Sequence, residues 1–120
     1  MHVLVVDDDP FSREMTLAVL EDHGYSCQLA ENGVEALEIL AAGGASCDLV
    51  ISDMNMPLIS GIDLFRELRS QGVALPFILL TGDNPEGLRA EEPKLDACLF
   101  KDYSLEEILP QVISEVLSRC

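Results

Sequence analysis

Val3-Leu4-Val5-Val6-Asp7-Asp8-Asp9-Pro10 is the stretch from which the fold is read: four apolar residues in succession, then three carboxylates, then a proline. Such a run, with no polar alternation, is what a strand buried on both faces of a parallel sheet requires. A second run, Leu49-Val50-Ile51, leads through Ser52 to another carboxylate, Asp53. If the two runs are neighbouring parallel strands, their ends lie side by side at about 4.8 Å. Carboxylates crowded that closely repel one another unless a cation joins them or a proton neutralises one. Mg²⁺ suits such a place, because it prefers oxygen ligands, needs only one or two carboxylates and completes its shell with water and phosphate oxygens. The pattern points to phosphoryl chemistry.

Outward from these two runs, short apolar segments alternate with longer helical patterns, the signature of repeated strand, helix, strand units. Strands are expected near residues 2–6, 25–30, 48–53, 76–81 and 97–100. Asp9 and Pro10 read as an N-cap followed by proline at the first helical position, with Phe11, Met15, Ala18 and Val19 as the buried stripe and Gly24 as the stop. Asn32 with Glu35, and Ser104 with Glu107, have capping-box spacing. Val34, Leu37, Leu40 and Ala41 mark a second helix ending at Gly43 and Gly44, and Ile62, Phe65 and Leu68 a third closed by Gly72. Leu105, Ile108, Leu109, Val112, Ile113, Val116 and Leu117 mark the last, with Pro110 as a kink or a late start. Between 82 and 96, Gly82, Pro85, Gly87 and Pro93 leave room for one short or irregular helix. Five parallel strands with right-handed crossovers make a doubly wound α/β sandwich, which binds ligands beyond the carboxyl ends of its strands. Asp7, Asp8, Asp53, Thr81 and Lys101 all fall there.

The chain has 120 residues, 48% of them hydrophobic, which fits one domain over residues 1–120 with a full core. No apolar run approaches the roughly 20 residues of a membrane span, and the start leaves no room for a signal peptide, so a cytoplasmic location is expected. Cys27, Cys47, Cys98 and Cys120 are scattered without a C-x-x-C pair, which argues for reduced thiols rather than zinc or redox chemistry. A net charge of −15, from 22 acidic against 7 basic residues, repels nucleic acid and anionic membrane. His2 and His23 have no ligand set around them, and Asp9 is better explained as a cap than as a ligand.

Nearly the whole chain resembles the receiver domains of two-component response regulators, through Leu4-Val5-Val6-Asp7-Asp8-Asp9-Pro10, Asp48-Leu49-Val50-Ile51-Ser52-Asp53-Met54-Asn55-Met56-Pro57, Gly61, Phe77-Ile78-Leu79-Leu80-Thr81 and Phe100-Lys101. The Asp53 stretch with its Met-Pro and following glycine is the most specific part. The resemblance implies a flavodoxin-like sheet of strand order 2-1-3-4-5. It implies that Asp53 accepts a phosphoryl group from a histidine kinase or histidine phosphotransfer protein. It also implies that Asp7, Asp8, Asp53 and the backbone carbonyl of Asn55 hold Mg²⁺, and that Thr81 and Lys101 contact the phosphoryl group. Asn55 and Asp83 would tune its loss. Such a domain is no enzyme beyond its own phosphorylation and dephosphorylation, and it signals to a C-terminal effector or a separate partner by a changed surface. Three carboxylates against one lysine leave the pocket at minus two, and a divalent cation brings it to neutrality.

Two positions depart from the family. Asp102 follows Lys101 where a proline after a cis bond is usual, and since a cis bond before a non-proline residue costs about 2.5 to 4 kcal/mol, a trans bond is expected. Cys98 stands where an aromatic ring usually swings inward on activation. Two other readings stay open at this point. Asp7 and Asp9 form a D-x-D, as in phosphatases of the haloacid dehalogenase type, although the following Gly-Thr is missing. The Asp102 departure also suits an interaction adaptor that works without phosphorylation.

Overall fold

The computed structural model describes residues 2–42, 47–82, 85–101 and 105–118. Strands β1 (His2–Val6), β2 (Ser26–Ala30), β3 (Leu49–Asp53), β4 (Phe77–Thr81) and β5 (Ala97–Phe100) form one parallel sheet in the order β2-β1-β3-β4-β5. The expected flavodoxin-like order is therefore present. Helices α1 (Pro10–Asp22), α2 (Gly33–Ala41), α3 (Gly61–Ser70), α4 (Pro85–Glu91) and α5 (Leu105–Ser118) join the strands and run past the last one. No helix among the described residues is long and apolar enough to cross a membrane.

Alternate residues of each strand feed two cores. Val3, Val5, Leu49, Ile51, Ile78 and Leu80 pack with Val19 and Leu20 of α1 and with Leu105, Leu109, Ile113 and Val116 of α5. Leu4, Val6, Val50, Phe77 and Leu79 pack on the other face with Ala36 of α2 and with Ile62, Leu64, Phe65 and Leu68 of α3. Every residue of β3 and β4 is buried, which is why those segments read as unbroken apolar runs. Edge strand β2 buries only Ala30 fully.

Local signals behave as physics requires. Asp9 accepts the Phe11 N–H at 3.1 Å, and Asn32 accepts the Glu35 N–H at 2.8 Å. Gly24 and Gly72 both take φ of +80° just past their helices, a conformation that costs a residue with a Cβ. Helix α4 is a single short helix of seven residues. Pro110 lies inside α5, which runs continuously from Leu105, so it neither delays the start nor splits the helix. Gly43, Gly44 and Ser104 lie outside the described residues.

Helix α1 departs from expectation. Its buried residues are Ser12, Thr16, Val19 and Leu20, whereas Phe11 is 79% exposed and Met15 and Ala18 are exposed as well. The proline at N1 and the Asp9 cap fix where the helix begins, and that phase turns two small hydroxyl residues toward the sheet. Thr16 tolerates burial because its hydroxyl donates to the Ser12 carbonyl at 3.1 Å. Val34 on α2 and Ile108 on α5 are likewise exposed, their neighbours Ala36 and Leu109 taking the buried places.

Candidate functional site

Four strand ends build the site. Asp7 follows β1, Asp53 ends β3, Thr81 ends β4 and Lys101 follows β5. Val6 pairs with Ser52, Asp53 with Leu80 and Thr81 with Phe100, so the register alone brings these residues to one edge of the sheet. One carboxylate oxygen from each of Asp7, Asp8 and Asp53 lies within 4.8 Å of the others. Asp7 is 2% exposed and Asp53 8%, while Asp8 faces solvent.

The buried pair shares one cation. Lys101 Nζ lies 3.2 Å from Asp7 Oδ2 and 3.2 Å from Asp53 Oδ1. The other oxygen of Asp7 accepts the Asp9 N–H at 3.0 Å, which fixes the rotation of that carboxylate. Burial pushes the Asp53 carboxyl above the ordinary carboxylate value; Lys101 pulls it back and Asp7 pushes it up again, and the net displacement is upward. A carboxylate held against burial and a like charge is short of positive partners. A hard divalent cation fits that shortage, since the donor set is all oxygen and one of its carboxylates is open to water.

The backbone around Asp53 is tightly tied. The Met54 N–H donates to the Leu80 carbonyl at 2.8 Å, and the Gly61 N–H donates to the Met54 carbonyl at 2.9 Å. Gly61 is needed for closeness: a Cβ there would meet Leu79 Cδ1 and lie 2.5 Å from the Asp53 carbonyl oxygen. The hydroxyl of Ser52 donates to the Asp53 carbonyl at 2.9 Å. Met54 and Met56 pack against the α3-side core, as expected of loop methionines.

Of the expected site residues, the fold gathers Asp7, Asp8, Asp53 and Lys101. Thr81 is fully buried, and its carbonyl accepts the Lys101 N–H at 2.7 Å, so the two travel on joined backbone. Asn55 is exposed two residues beyond Asp53, in the loop before α3. Asp83 and Asp102 lie outside the described residues. Asp9 is occupied as the α1 cap rather than in the carboxylate cluster. Cys98 is buried against the α2 and α3 core. Sequence reasoning missed Arg13, whose guanidinium donates to the Asp7 carbonyl at 3.2 Å; only a charged residue one turn into α1 hinted at it.

A family model described as the response regulator receiver domain matches residues 3–113. The chain is 36% identical over 121 residues to the sensor histidine kinase RcsC of Salmonella typhimurium, covering 99% of this chain and 12% of RcsC. It is 38% identical over 114 residues to the response regulator MprA of Mycobacterium avium, covering 93% of this chain and 49% of MprA. It thus spans half or less of the length of these two relatives. The crystal structure of response regulator protein TrrA from Thermotoga maritima in complex with Mg²⁺-BeF superimposes with a TM-score of 0.84 at 34% identity, over 96% of this chain and 97% of that one.

Proposed function

The chain belongs to the response regulator receiver domain family of two-component systems, and from that membership and the site geometry we propose that Asp53 is its phosphoacceptor. The observation that carries the assignment is Lys101 Nζ bridging Asp7 and Asp53 at 3.2 Å each, with the Asp8 carboxylate beside them. An Asp53 oxygen attacks the phosphorus of a phosphohistidine, the P–N bond breaks, and the phosphoryl group passes to the carboxylate as the imidazole leaves. Asp7, Asp8, Asp53 and the Asn55 carbonyl would hold Mg²⁺, which when bound neutralises the phosphoryl oxygens. Lys101, already within reach of Asp53, turns from that carboxylate to the new phosphoryl oxygens. Thr81, on the adjoining strand end, supplies a hydroxyl to them, and its inward motion carries the loop after β4.

Residues 1–120 act as one domain that performs only its own phosphorylation and dephosphorylation. The donor is a histidine kinase or a histidine phosphotransfer protein, and the output is an attached effector or a separate partner, in the cytoplasm. The engagement of Lys101 with Asp53 favours this reading over an adaptor that ignores phosphorylation, and the use of Asp9 as a helix cap removes the second acid of a phosphatase D-x-D. Mass spectrometry after exposure to a small acyl phosphate and Mg²⁺ tests it. One added phosphoryl group is expected, located on Asp53 and missing in Asp53→Asn; uptake that persists in the variant would overturn the assignment.

A further inference from the structure

The loop from Met54 to Ser60 leaves the acidic site directly after Asp53 and carries the Asn55 carbonyl. Both its ends are pinned, by the Met54 and Gly61 backbone bonds at one side and by Ser60 capping α3 through the Asp63 N–H at the other. Its middle is strained. Ile59 N–H donates to the Pro57 carbonyl at 2.9 Å across Leu58, whose φ is +75°. That is a γ-turn of a rare, strained type, and a branched residue at its centre persists only where the surroundings impose it. The Leu58 side chain is 75% exposed and does little to impose anything.

The next residue provides the hold. The half-buried Ile59 side chain rests on Gly33, the first residue of α2, so closely that a Cβ on residue 33 would meet Ile59 Cγ1 and lie 2.5 Å from Ile59 Cδ1. Gly33 is buried and has no left-handed φ, so its glycine serves space rather than backbone conformation. A helix start gains nothing else from glycine, which forms helix worse than alanine.

We propose that Gly33 and Ile59 form a seat through which α2 positions the β3–α3 loop, making both positioning residues for divalent cation binding at the acidic site. They touch no ligand. They act through the loop that presents the Asn55 carbonyl, as outer supports commonly orient metal ligands. The inference rests on the proposed reading of that site as a Mg²⁺ site.

The test is Mg²⁺ titration of the chain, followed by calorimetry and by backbone amide shifts, with melting temperatures recorded after metal removal. Gly33→Ala is expected to weaken Mg²⁺ binding about ten-fold, the scale on which outer supports affect metal sites. Adding Ile59→Ala to Gly33→Ala clears the space for the new methyl and should bring the affinity back toward the parent. Leu40→Ala, at the far end of α2 and lining the groove with His2 and Cys47, should lower the melting temperature while leaving Mg²⁺ affinity unchanged, which separates positioning from general loss of stability. If Gly33→Ala does not fold, Ile59→Ala alone decides, because an empty seat should also weaken binding. A folded Gly33→Ala or Ile59→Ala with the parent's affinity overturns the inference, as does a double variant no closer to the parent. A parent chain that binds no Mg²⁺ overturns the receiver-site reading and this inference with it. Binding by the parent that is lost in Asp8→Asn but unmoved in the Gly33 and Ile59 variants overturns this inference alone.

Discussion

Asp53 binds its proton more tightly folded than unfolded, because burial and Asp7 outweigh Lys101. Its contribution therefore favours the fold below the ordinary value of 3.8 and is lost as pH rises through the higher folded value. Asp53→Asn removes that loss. Metal-free Asp53→Asn should melt at a higher temperature than the parent at pH 7, with the gap closing toward pH 3.5. A variant less stable than the parent at pH 7 would contradict the crowding of this pocket. Lys101→Met acts in the opposite sense, since it leaves Asp7 and Asp53 buried without their shared cation. Urea unfolding without metal should show a loss of about 3 kcal/mol. Excess Mg²⁺ should recover much of it, and the variant should bind Mg²⁺ more tightly than the parent because the competing ammonium is gone. Weaker binding by Lys101→Met would show that Lys101 does not compete for these carboxylates.

At the scale of elements, the connection from β3 to α3 concentrates the constraint. Gly61→Ala drives a methyl into the Asp53 carbonyl and Leu79, and the stability measured by urea unfolding should fall by about 2 to 3 kcal/mol. Leu58→Gly should move the other way. It relieves a left-handed residue worth roughly 1 to 2 kcal/mol, part of which glycine gives back as greater freedom of the unfolded chain, and little burial is lost at 75% exposure. A net gain of a few tenths to about 1 kcal/mol is expected; a loss would mean that the exposed leucine packs in solution. At the opposite end of the sheet, Arg69 ties three elements. Its guanidinium stacks 4.5 Å over the Phe65 ring, donates to the Val73 carbonyl at 3.0 Å and reaches Asp96, which itself accepts the Phe77 N–H at 2.8 Å. That network anchors α3, β4 and β5 at the end of the sheet away from the acidic edge.

For the whole molecule, a net charge of −15 works against compactness while the acidic edge adds its own repulsion. Raising NaCl from low to moderate concentration should raise the melting temperature through screening alone. Mg²⁺ at matched ionic strength should raise it further in the parent but not in Asp8→Asn. Equal gains in both proteins would show that Mg²⁺ acts only as a screening ion.

β1, β3, β4 and β5 were legible because each is buried on one or both faces and so written as an apolar run, whereas edge strand β2 buries only Ala30 fully; all five observed strands lie within one residue of their expected bounds at either end. The site was legible for the same reason, since parallel strands that end in Asp7, Asp53, Thr81 and Lys101 deliver those groups to one edge. The Asp9 and Asn32 caps were equally plain, being local chemistry between residues two or three apart. The facing of α1 was not. Phe11 and Met15 have the hydrophobicity of a core stripe, yet the helix phase set by Asp9 and Pro10 buries Ser12 and Thr16 instead. Nor could the sequence show that Gly33 yields its space to Ile59, 26 residues along the chain, or that one ammonium would sit 3.2 Å from each of two carboxylates. Composition and periodicity report what a segment does with its own neighbours. Contacts between segments depend on where the sheet puts them, and only the tertiary structure decides that.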